Sequence, residues 1–160
     1  MSGTPSWEDF HAITTLKYRY GTALDTKDFV AMTDLMVDDV TVAYGGGAVS
    51  LQGREVVRDW MANAMGSRTM LSNHFFSHPV IDVDGDRATG AWELMDIVIL
   101  EDLNLVIRGA SLYADRYVRV DGTWKIQHTG YKRMWEEIGP RGEFKTTAAW
   151  FGTDGRSSLV

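Results

Sequence analysis

Apolar residues recur at helical spacing early in the chain, at Phe10, Ile13, Leu16, Tyr20 and Leu24, and mark one face of a helix from Ser6 to Leu24. Ser6 is placed to cap it, and Glu8 and Asp9 stand in the first turn, where the helix dipole favours negative charge. Asp25 follows at the other end, where the dipole disfavours a carboxylate. It belongs either to a solvated turn, Asp25-Thr26-Lys27-Asp28, or to a site that holds it there. Asp28 can cap a short helix, Phe29 to Met36, with Phe29, Met32, Leu35 and Met36 as its buried side. Val40 to Tyr44 reads as a strand. Gly45-Gly46-Gly47 then turns the chain and is no phosphate cradle, because no Gly-Lys-Ser/Thr follows. A third helix, Arg54 to Met65, carries Val56, Val57, Trp60, Met61, Ala64 and Met65. Its methionine-rich face suits a core, or a pocket that adapts to a bulky apolar ligand.

From Ser72 the pattern changes to strands. Val80 to Val83 and Ala88 to Asp96 carry β-branched and aromatic residues around the turn Asp84-Gly85-Asp86. Leu105 to Val120 and Thr123 to Trp135 form a second hairpin about Asp121-Gly122. From Gly139 the chain is irregular, and the adjacent Trp150 and Phe151 are expected to pack on the domain or on a neighbouring subunit. Helices first and antiparallel strands afterwards give an α+β domain, a curved sheet wrapped on a helix as a cone with one open mouth.

The open end of the first hairpin carries His74 and Asp96, and register decides whether they face each other. A two-residue turn at Asp84-Gly85 sets His74 opposite Met95; a three-residue loop sets it opposite Asp96. Ala88, Gly90, Trp92 and Leu94 share a face with Asp96, so the carboxylate points where an apolar set points. That favours the three-residue loop, or a bulge near Pro79.

Composition narrows the classes. The chain has 160 residues, 44% hydrophobic, which suits one domain spanning 1–160 with its core at about 7–137. A net charge of -6 argues against a nucleic-acid partner, which needs clustered Lys and Arg. No apolar run approaches a membrane span, and MSGTPSWEDF lacks the features of a signal peptide. The absence of cysteine rules out disulfides and thiolate metal sites and fits a cytoplasmic location.

The candidate chemistry is general acid/base work. His74 and His78 stand four apart, which on a strand is roughly 13 Å and too far for one metal ion. No Gly-x-Ser-x-Gly elbow is present. A carboxylate on one ring nitrogen fixes the tautomer of a histidine, and Asp25 or Asp96 could do this for His74. Tyr20, five residues before Asp25, could donate to an oxygen gaining negative charge. Arg133 could balance a buried aspartate. Simple alternation puts Arg133 on the face opposite Trp124 and Ile126, so Gly130 would have to mark a bulge.

Four words in the sequence carry a resemblance: Tyr-Arg-Tyr-Gly-Thr-Ala-Leu-Asp ending at Asp25, Ser72-Asn73-His74 before Pro79, Gly90 to Asp96, and Gly122-Thr123-Trp124 through Thr129-Gly130-Tyr131-Lys132-Arg133. Over about Ile13 to Glu137 the chain resembles the SnoaL-like group, related to scytalone dehydratase and the nuclear-transport-factor-2 fold, and within it the bile-acid 7α-dehydratases. The resemblance implies a cystatin-like cone and a dehydratase that needs no cofactor. Its site residues fall on Tyr20, Asp25, His74, Asp96 and Arg133. The expected lining of the pocket is Tyr44, Trp60, Met61, Met65, Trp92 and Tyr113. It also implies a hydrophobic polycyclic, steroid-like substrate and a homo-oligomer, a trimer before a dimer. A ketosteroid-type isomerase and a non-catalytic binding or assembly module are the alternative readings. The tail beyond Gly139 has no counterpart in the resemblance.

Overall fold

The computed structural model describes residues 4–150. Three helices, α1 (Trp7–Asp25), α2 (Phe29–Asp34) and α3 (Arg54–Met65), lie over a sheet of β1 (Met36–Tyr44), β2 (Val49–Gln52), β3 (Met70–Asp84), β4 (Arg87–Leu100), β5 (Leu105–Val120) and β6 (Thr123–Pro140). The strand order is β2-β1-β6-β5-β4-β3. β1 runs parallel to β6 and every other pair is antiparallel. The fold is the expected cystatin-like α+β cone, with a mixed sheet that curves around α1 without closing. Among the described residues no helix is long and apolar enough to cross a membrane.

Both expected caps form: Ser6 accepts from the Asp9 amide and Asp28 from the Ala31 amide. Met36 does not end α2 as expected but opens β1, because the Ile126 amide donates to the Leu35 carbonyl and draws the chain into the sheet. The four-residue β2 was not expected; it is short and lies at the sheet edge beside β1. On α3, Val57 and Met61 are buried whereas Val56 faces out.

α1 crosses the sheet closely at Gly21. A Cβ there would sit 3.0 Å from the Phe76 ring. Glycine inside a helix ordinarily costs about 1 kcal/mol relative to alanine. Here the Phe76 ring would have to shift to admit a methyl, and that cost opposes the gain. Gly21→Ala is expected to lower stability rather than raise it, as a denaturant titration would show; a stabilised variant would mean that α1 can lift off β3 freely.

Bulges in β3 and β6 decide which side chains face the cone. The β3–β4 turn is neither of the two expected: Asp84 pairs with Arg87, so Gly85-Asp86 alone make it. That register by itself would set His74 opposite Ile97. The shift between Ser77 and Val80, where His78 takes a left-handed φ of 51° beside Pro79, restores His74 opposite Asp96. On β6 the register slips between Ile126 and His128, placing the extra residue at Gln127 and not at Gly130. The slip turns Thr129, Tyr131 and Arg133 inward. Gly130 has a different reason: a Cβ would meet the Ala43 carbonyl at 2.7 Å, so its bareness lets β1 approach β6.

Candidate active site

Cross-strand rows build the site. One row on the concave face is His74, Asp96, Gly109 and Glu136; the next inward is Phe76, Leu94, Ser111 and Arg133. α1 delivers Asp25 to the first of these rows. Asp25 Oδ1 lies 2.6 Å from His74 Nδ1 and accepts from Ser72 Oγ at 2.8 Å, while Oδ2 accepts the His74 backbone N–H at 2.8 Å. The carboxylate at the unfavourable end of α1 is therefore held by three donors. Burial pushes its carboxyl up, but the bonds and charge of His74 and the Ser72 hydroxyl outweigh this and hold it below the usual range. Among the described residues, His74 Nε2 is the ring nitrogen left free.

The pH consequence follows from the sign of that shift. A carboxyl with a lowered folded-state pKa adds stability above its unfolded value, here 3.8, and loses it as the pH falls further. Asp25→Asn is expected to flatten the acid limb of a melting-temperature profile as the pH falls below 3.8; an unchanged limb would show that Asp25 titrates alike in both states.

Asp96 does not bond His74. It takes a bidentate pair from Arg133, Nη1 to Oδ1 at 2.5 Å and Nη2 to Oδ2 at 2.9 Å. Nη1 also reaches Ser111 Oγ at 3.2 Å, and Nε lies 2.8 Å from Glu136. The hydrogen bond to Asp96 raises the guanidinium above its ordinary range, so it stays charged. Gly109 makes the reach feasible, since a Cβ there would sit 3.0 Å from Arg133 Nη1.

Tyr20 is fully buried, with its hydroxyl 3.2 Å from that of Tyr44. Tyr44 leans on Trp60 and Tyr131, and Tyr113 lies against both Tyr131 and Phe76. Burial raises the Tyr20, Tyr44 and Tyr113 hydroxyls, which stay protonated. Met61 is buried, and Met65 gives its carbonyl to Lys27 Nζ at the rim. Trp92 lies deeper, beneath α1, with its indole donating to Tyr117. Clefts of about 480, 460 and 420 Å³ lie along α1 and on the convex sheet face, away from the His74 row.

Sequence reasoning missed the ion pair beneath these rings. Lys17 Nζ and Asp115 Oδ2 are 2.7 Å apart with both side chains fully buried. The signal was present: Lys17 interrupts the apolar stripe of α1, and Asp115 sits between Tyr113 and Tyr117 on the inward phase of β5. Ser72, Ser111 and Glu136, which hold the site residues in place, had no such signal. Among the described residues no group of three or more potential ligands could hold a metal ion.

A sequence model of the SnoaL-like domain matches residues 5–130. The chain belongs to the SnoaL-like family. That match takes in Tyr20, Asp25, His74 and Asp96, and Arg133 lies just beyond it. Solved structures share the fold. A scytalone dehydratase candidate from Novosphingobium aromaticivorans is 21% identical at a TM-score of 0.74, over 86% of this chain and 95% of that one. The type 3 hexachlorocyclohexane dehydrochlorinase of Novosphingobium barchaimii is 20% identical at 0.75, over 89% and 96%. An aromatic ring hydroxylase candidate from Novosphingobium aromaticivorans is 18% identical at 0.77, over 86% and 96%. At these identities the likeness establishes the fold.

Proposed function

We propose that the protein is a cofactor-independent lyase of the dehydratase type, acting on a hydroxylated polycyclic substrate of the steroid or bile-acid kind. One observation carries the reading: His74 is oriented through Nδ1 by Asp25 and keeps Nε2 free beside a fixed Arg133–Asp96 pair. His74 Nε2 takes a proton from the carbon next to the one bearing the hydroxyl. The C–H electrons form the double bond, the C–O bond breaks, and the imidazolium returns its proton to the departing oxygen as water. Asp96 has both oxygens engaged by Arg133, so His74 serves as base and then acid. Arg133 has five N–H groups, and one on Nη2 remains for a substrate oxygen that gains charge. Tyr20 and Tyr44 form the wall behind.

The names of two structural relatives, a dehydratase candidate and a dehydrochlorinase, support elimination as the reaction class. Departing chloride would need the same base but no acid. The test is mass spectrometry of reactions with hydroxylated 3-keto-4-ene steroids. Loss of one water supports the dehydratase reading. Turnover without mass change would replace it with isomerisation, and tight binding without turnover with a binding module. We also propose a homo-oligomer, supported by the exposed cross-strand set Phe75, Met95 and Trp135 on the convex face.

A further inference from the structure

We infer that Glu136 determines specificity at the proposed site: one oxygen of its carboxylate accepts a hydrogen bond from a substrate hydroxyl other than the one that leaves. The backbone provides the first reason. Residues three apart on a regular strand point to opposite faces, so Arg133 and Glu136 should not meet. They do meet, because β6 carries a further extra residue. Ser111 pairs with Arg133 and Ala110 with Trp135, which leaves Met134 with no residue opposite on β5. The bulge leaves Met134 exposed and returns Glu136 to the concave face, in the row of His74, Asp96 and Gly109. Bulges of this kind re-aim side chains beside active sites.

The second reason is what the carboxylate does there. Oε2 lies 2.8 Å from Arg133 Nε, so the guanidinium over the bare Gly109 is shared between Asp96 and Glu136. Asp96 is spent, with both oxygens engaged and its side chain 2% exposed. Asp25 has both oxygens taken as well. Glu136 differs: its side chain is 40% exposed, and among the described residues Oε1 has no hydrogen-bond partner. Of the three carboxylates it alone presents an anchored, open acceptor. An ionised carboxylate oxygen accepts and cannot donate. A hydroxyl therefore satisfies it. A ketone in the same place has no proton to give, and a carboxylate would be repelled by Asp96 and Glu136, which already share one guanidinium. His74 and Glu136 close the two ends of a four-strand row, about 14 Å apart at the backbone. That span suits a fused-ring substrate that reacts at one end and keeps a neutral hydroxyl at the other.

The inference rests on the proposed function for where the substrate reacts, so the test reads binding alone. Testosterone and androstenedione are the same tetracyclic enone and differ only by a hydroxyl or a ketone at the end remote from the enone. Each is titrated by calorimetry into wild type, Glu136→Gln and Glu136→Ala. Wild type is expected to favour testosterone by roughly tenfold, the worth of one hydrogen bond to a charged group at a part-exposed position. Glutamine can keep the Arg133 bond through its amide oxygen, which puts its NH2 at the open position. The preference should therefore vanish or reverse in Glu136→Gln, and Glu136→Ala should show none. Equal affinities in wild type, a testosterone preference that survives in either variant, or no binding of either steroid to wild type would overturn the assignment. A surviving preference with both affinities lowered alike would reduce Glu136 to a support for Arg133. If the preference behaves as expected but hydroxylated 3-keto-4-ene steroids lose no water, the dehydratase reading fails and the role of Glu136 stands. Water loss without any hydroxyl preference overturns Glu136 alone.

Discussion

His74→Ala is expected to lower the rate of water loss by about a hundred- to ten-thousand-fold, the usual worth of one acid–base group, with the fold intact. The fold should survive because Asp25 keeps two of its three donors, the residue-74 amide and Ser72. The loss should fall on kcat, since His74 acts on the proton in flight. Two accompanying measurements distinguish chemistry from geometry. Added imidazole should restore part of the rate in the alanine variant, because the space and its orienting carboxylate remain. Asp25→Asn should lose less than His74→Ala but more than a surface change. An amide has one acceptor oxygen, so it cannot accept from the ring, the backbone amide and Ser72 as the carboxylate does. A near-wild-type rate in His74→Ala would remove the histidine from the chemistry and leave Asp96 and Arg133 to account for it.

Local rules read the fold well wherever the signal was local. The caps at Ser6 and Asp28 and the apolar face of α1 are set by neighbours within one or two turns. Register was harder, because a bulge is invisible to alternation until a face is known to be buried. His74 opposite Asp96 came out of the apolar company of Asp96 and not out of the turn, and the structure reaches the same pairing through His78 and Pro79. Arg133 shows the opposite case. A glycine suggested the bulge, but the slip lies at Gln127, and Gly130 answers to a neighbouring strand that no local pattern reveals. Candidate polar residues could be listed from the sequence with their possible partners, Asp25 or Asp96 for His74 and an aspartate for Arg133, but only the fold chose between them. Asp25 with His74 and Arg133 with Asp96 are separated by 49 and 37 positions, and only the crossing of α1 at Gly21 and the bare Gly109 bring them together.

Breaking the Lys17–Asp115 pair from one side is expected to give the largest stability change, about 3–5 kcal/mol for either single substitution. Burial acts first on Lys17 and lowers its pKa, and the carboxylate of Asp115 opposes that. The ammonium also lies 4.0 Å from the Tyr113 ring centroid, 4.4 Å from Phe76 and 5.0 Å from Tyr20, contacts that favour the charged form. Asp115 is tied further by Tyr117, which donates at 2.7 Å and accepts from Trp92. Lys17→Met strands a carboxylate with one remaining donor. Asp115→Asn strands an ammonium among rings. Each therefore leaves a buried charge without its counter-ion, whereas Lys17→Met with Asp115→Asn leaves none. The double variant should recover most of the loss, so the cycle measured by denaturant unfolding should show strong coupling. Additive losses would mean that the two charges are stabilised separately, the ammonium by its rings and the carboxylate by Tyr117. Strong coupling would instead make this pair the fixed point on which Tyr113, Phe76 and Tyr20 rest.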